Sequence, residues 1–79
     1  MLLDGKIKRV VLIAAVDICI HREKISPKRC ARNIIELGTS AYPNKLSSKE
    51  RNDLYDQLLP AITDKDSGAI HALFSDAFF

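Results

Sequence analysis

Apolar residues fall in four blocks along the chain, each bounded by polar stretches rich in turn-forming residues. The densest block is Val10–Ile20, VVLIAAVDICI, in which Asp17 is the one charged residue. Ile7, Val10, Val11, Ala14 and Ile18 recur at the three- and four-residue intervals of a helix. Asp4 offers an N-cap for a helix starting near Gly5. The block is also rich in β-branched residues, which suit a buried strand equally well. No other segment reads as a strand, however, and a lone strand would leave its backbone groups unpaired. The pattern therefore predicts a helix. On a helical wheel, residues 10–20 are apolar at nearly every angle. Such a helix needs cover on all sides, and so short a chain has little else to cover it with. A second copy is expected to complete the core.

Three further helices follow from local signals. Ser26-Pro27 marks a start, with serine as N-cap and proline in the first turn. The inward face there is Cys30, Ala31, Ile34, Ile35 and Leu37, and Gly38 reads as a left-handed stop. Arg32 and Glu36 form an i, i+4 pair on the outward face. Thr39–Leu46 reads as a loop broken by Pro43, with Tyr42 packed at the core edge. Ser47 and Glu50 then make a capping box ahead of Leu54, Tyr55, Leu58, Leu59 and Ile62, and Pro60 is expected to end or kink that helix. Asp66 or Ser67 caps the last helix, whose apolar face is Ile70, Leu73, Phe74, Ala77 and Phe78. The fold class is thus all-α: a single domain, residues 1–79, of four helices around the first, completed by dimerisation.

Composition narrows the function classes. At 47% hydrophobic and 28% charged, the chain is globular in type. Two cysteines at no framework spacing read as reduced thiols in a cytoplasmic protein. Lys6, Lys8 and Arg9 before the apolar block mimic an export signal, but Asp17 and the lack of a small-residue cleavage site argue against one. The eleven-residue run is also far short of the roughly 20 needed to span a bilayer. No membrane association is expected. Charge is uneven: through Lys45 there are nine Lys and Arg against four Asp and Glu, or +5, and beyond it three against six, or −3. This suits a phosphate-binding face or a dimer whose basic and acidic surfaces meet.

Few residues point to chemistry. Ile20–Ile34 resembles a helix-turn-helix, with a short turn at Lys24–Ser26 and basic residues opening the second helix. That resemblance implies that Lys28, Arg29 and Arg32 face DNA and that Asn33 can reach an adenine edge. The segment departs from the pattern at Ile20, where a small residue is usual, and at Lys24, where glycine is common. Asp64–Gly68 opens like a calcium loop, but the sixth position is Ala69 and the twelfth Ser75. Cys19, His21, Cys30 and His71 include the right ligand types for zinc without a paired spacing to anchor them. Asp17 is expected to pair along its helix with His21 or Lys24. The three glycines are isolated, so no phosphate-cradling loop exists.

These features predict a small non-enzymatic regulatory or adaptor protein that needs no metal or cofactor. It would act as a homodimer or on a protein partner, with direct DNA binding as the alternative. Candidate dimer-interface residues are Val11, Ala14, Ala15, Ile18, Phe78 and Phe79, the two terminal rings either docking on the core or sitting in the interface.

Overall fold

The computed structural model describes residues 5–22 and 24–79, the side chains of Gly5 and Lys6 excepted. Four helices follow one another: α1 (Gly5–Ile20), α2 (Pro27–Ala41), α3 (Ser48–Thr63) and α4 (Ser67–Phe78). The chain is all-α. The expected Asp4 cap lies outside the described residues.

The local start signals act as physical chemistry requires. Ser26 Oγ accepts from the Arg29 N–H at 3.2 Å, with Pro27 in the first turn. Ser47 and Glu50 close a reciprocal box: Ser47 Oγ accepts from Glu50 N–H at 3.2 Å, and Glu50 Oε1 accepts from Ser47 N–H at 3.0 Å. Asp66 Oδ1 accepts from Ala69 N–H at 3.1 Å. Each bond satisfies a donor that the helix itself leaves orphaned.

The stop signals behave differently. Gly38 does not end α2; the helix runs through it to Ala41, and Tyr42 closes the end by donating its N–H to the Gly38 carbonyl at 2.8 Å. Gly38 is buried because Phe78 of α4 packs directly on its Cα face. A Cβ there would come closer than 3.0 Å to three atoms of the Phe78 ring. The glycine is needed for close approach, not for a left-handed φ. Pro60 likewise does not end α3, which continues to Thr63. Both Pro60 and Asp56, whose carbonyl loses its helical donor, are exposed, so water can take the missing place. The Asp64 N–H then bonds back to the Pro60 carbonyl at 2.9 Å. The real stop is Lys65, at φ 54°, the one non-glycine residue with positive φ among those described. Lys65 N–H donates to Ile62 O and Asp66 N–H to Ala61 O, the paired bonds of a Schellman end with lysine where glycine is usual.

The core gathers one face of every helix: Leu12 and Val16 of α1, Cys30, Ala31 and Ile34 of α2, Leu54 and Leu58 of α3, and Ile70, Phe74 and Phe78 of α4. Phe74 packs at 5.0 Å from Phe78 and edge-on at 5.5 Å from Phe79, which also meets Tyr42 at 6.3 Å. The terminal rings therefore dock on the core, and Phe78, at 2% exposure, has no surface left for an interface. Tyr42 packs at the core edge as its sequence position suggests.

Candidate interaction surface on the first helix

Helix α1 carries two apolar faces, and the protomer covers one. Leu12 and Val16 point into the core, flanked by the half-buried Cys19 and Ile20. On the opposite side Ile7, Val10, Val11 and Ile18 remain 49%, 66%, 51% and 65% exposed. Ala14 is exposed between them, Ala15 is half-buried, and Ile13 flanks the stripe at 38%. Ile7, Val11, Ala14 and Ile18 follow a four-three-four spacing, which keeps them in line along about 16 Å of helix. Large apolar side chains are normally exposed one at a time; a contiguous row marks an interaction site.

Among the described residues, Ile7, Val10, Val11, Ala14 and Ile18 are all uncharged, and the half-exposed Asp17 borders the stripe two turns on from Val10. Lys8 Nζ donates to the Ala41 carbonyl at 2.7 Å and lies 4.5 Å from the centre of the Tyr42 ring. There it answers the negative end of α2. The Arg9 guanidinium sits 5.4 Å from the Phe79 ring centre. Asp17 does not pair with His21 or Lys24; its Oδ1 accepts from His71 Nε2 of α4 at 2.6 Å. The reason is tertiary: α1 packs beside α4, bringing His71 within reach, whereas His21 lies past the helix end. Every described charged side chain of α1 is thus engaged by the rest of the chain.

Of the candidate interface residues, Val11, Ala14 and Ile18 share the open stripe and Ala15 borders it, whereas Phe78 and Phe79 belong to the internal aromatic cluster. Ile7 and Val10 join the stripe without having been singled out as interface residues. The four-three-four spacing from Ile7 to Ile18 was the signal for Ile7, and Val10 joins the row through its i, i+3 and i, i+4 relation to Ile7 and Ala14. Beside the stripe runs a groove between α1 and α2 lined by Ala15, Ile18, Cys19 and Leu37, together with the charged Arg22 and Glu36 and the polar Asn33 and Ser40.

Lys28, Arg29 and Arg32 are exposed on α2, and Asn33 is half-buried. Arg22, Lys24, Arg29 and Asn33 line one small hollow by the α1–α2 turn. The turn separating Ile20 from Pro27 is longer than the one expected at Lys24–Ser26. The Arg32–Glu36 pair does not form: the one acid–base side-chain contact within 4.0 Å among the described residues is Asp17–His71.

Cys30 Sγ lies 3.5 Å from the Cys19 carbonyl, and both cysteines are free thiols. Burial pushes both thiols above their ordinary pKa, Arg22 partly offsetting this at Cys19 and the neighbouring Cys19 adding to it at Cys30. Neither environment favours a thiolate nucleophile. His71 is committed to Asp17, and no group of three or more His, Cys, Asp or Glu suited to a metal occurs among the described residues. No described helix is long and apolar enough to cross a membrane. No protein-family model matches the chain, and no curated protein or solved structure is significantly similar to it, so its function has to be read from the surface itself.

Proposed function

We propose that this chain is a small non-enzymatic regulatory or adaptor protein that acts through protein–protein contact on the outer stripe of α1. The covering surface is a second copy of the chain or a protein partner. One observation carries this reading: the charge-free row Ile7, Val10, Val11, Ala14 and Ile18 left open by the protomer. The exposed fractions of its four large residues together with Ile13 amount to between two and three whole side chains. At about 1.5–3 kcal/mol per fully buried aliphatic side chain, covering them would contribute about 4–8 kcal/mol. That is comparable with the general cost of association, about 4–15 kcal/mol. When the partner brings a similar surface, the balance favours binding. Two free thiols fit a cytoplasmic setting.

A DNA-binding reading has its own support in the exposed Lys28, Arg29 and Arg32 at the start of α2. It ranks second because a basic helix face of this size is common on solvated surfaces, whereas a contiguous aliphatic row is not.

Pull-down from source lysate, with and without nuclease, separates the two. The first reading expects capture that ignores nuclease, is lost in Val10→Asp/Ile18→Asp, and persists in Lys28→Glu/Arg29→Glu. The latter pair should change stability by no more than about 0.5 kcal/mol per site. Duplex DNA binding should be no tighter than the non-specific range of about 10⁻⁴ to 10⁻⁶ M. Nanomolar, sequence-selective DNA binding abolished by the charge reversal would overturn the proposal in favour of the helix-turn-helix.

A further inference from the structure

We infer that the occupant of the α1 stripe is the same stripe of a second copy, docked antiparallel about a two-fold axis that passes between residues 12 and 13. This inference rests on the stripe being the contact surface and names its partner.

Three observations point to self-association. The first is charge. Lys8, Arg9 and Asp17 are each engaged within the protomer, by Ala41 and Tyr42, by Phe79 and by His71. Among the described residues, an acidic or basic peptide would therefore find no unengaged opposite charge along the stripe, whereas an uncharged aliphatic helix matches its apolar row. This chain carries such a helix.

The second is shape. In the antiparallel register Ile7 faces Ile18 of the other copy, and Val11 faces Ala14. Both pairings occur twice by symmetry. Each central layer then combines one medium and one small side chain, with two large ones at either end. A parallel register would stack Ala14 on Ala14 between layers of Val11 and Ile18, leaving a void at the alanines. Close packing without voids favours the antiparallel arrangement. Opposed helix dipoles favour it as well.

The third is size. One pair of helices of this length falls in the small class of interface, well below 1,200 Å² in total, which goes with weak, exchanging complexes. The groove lined by Ala15, Cys19 and Leu37 lies alongside and lets the contact extend onto α2; Arg22 and Glu36, of opposite sign, also line it. A reversible dimer of micromolar strength is expected, not a permanent one.

Sedimentation equilibrium from about 1 µM to about 1 mM spans that affinity range. The wild-type chain should pass from monomer to dimer, and Val11→Glu and Ala14→Lys should each stay monomeric. Both positions are exposed in the protomer, so each variant should keep the wild-type circular dichroism spectrum. The decisive sample is their equimolar mixture. Antiparallel docking places the introduced carboxylate of one variant against the introduced ammonium of the other. The second Val11–Ala14 layer stays intact, so the mixture should dimerise. A mixture that stays monomeric while the wild type dimerises overturns the antiparallel register. A wild type monomeric up to about 1 mM overturns self-association altogether. The adaptor reading survives that result if lysate capture is still lost in Val10→Asp/Ile18→Asp, and fails with it if capture is unaffected.

Discussion

Replacing Gly38 by alanine sets two well-characterised effects against each other. In an ordinary helix interior the change is favourable by about 0.5–1 kcal/mol, because glycine loses more backbone freedom on folding. Here the new methyl group would come within 3.0 Å of three ring atoms of Phe78. The ring has little room to retreat, being 2% exposed and packed at a tilt with its centre 5.0 Å from that of Phe74. Forcing a methyl group into a filled core costs about 1–3 kcal/mol. The steric effect should win, for a net loss of about 1–2 kcal/mol. In a domain of this size that lowers the melting temperature by about 4–16 °C. Urea unfolding followed by the helical circular dichroism signal measures the difference directly. The stricter test is a double-mutant cycle with Phe78→Leu, which removes the ring edge. In that background Gly38→Ala should turn favourable again, by about 0.5–1 kcal/mol, so the two sites should be strongly coupled. A Gly38→Ala variant as stable as the wild type, or one whose cost is unchanged in the Phe78→Leu background, would refute close approach as the reason for the glycine.

Two other substitutions probe the helix ends. Lys65 sits at φ 54°, where a side chain costs about 1–2 kcal/mol. Lys65→Gly relieves that strain but adds freedom to the unfolded chain, so a net gain of about 0.5–1 kcal/mol is expected in thermal unfolding; a loss would contradict the assignment of the α3 stop. Bonds from the Ser47 backbone and side chain hold the Glu50 carboxyl below its ordinary pKa. A depressed carboxylate contributes stability that is present above the unfolded value, near about 4.3, and is lost as pH falls through the lower folded value. Helix content followed from neutral to strongly acidic pH should therefore show an acid-sensitive component that Glu50→Gln removes; identical acid profiles for the two proteins would speak against the box.

Much of the fold was legible in the sequence because helix starts are written locally. Ser26, Ser47 with Glu50, and Asp66 each sit within three residues of the donors they satisfy. The ends were harder. A glycine that stops a helix and one that admits a ring look the same until Phe78, far along the chain, is placed against it. Whether Pro60 would end its helix was hard to read for a similar reason, since a proline whose freed carbonyl faces water is tolerated where a buried one is not. The partner of Asp17 was unreadable because His71 is 54 residues away and packing alone brings it near. The surface was half legible. The apolar excess of residues 10–20 signalled missing cover, but the side of α1 left open follows from where α2 and α4 pack.

The tethers of α1 have a consequence for its motion. Lys8 and Asp17 reach partners 33 and 54 residues away, and Arg9 reaches Phe79. Contacts that close such long loops give up chain entropy before they return any energy, so they form late and release early. Among the described residues of α1, only Leu12 and Val16 are anchored in the fully buried core. The easiest partial opening is therefore one in which α1 swings away while α2, α3 and α4 hold together, and amide hydrogens of α1 should exchange with solvent ahead of the rest. Anything that binds only the docked helix raises the free energy of that opening by mass action. If the outer stripe is covered by a second copy, exchange in α1, and there alone, slows as the protein becomes more concentrated.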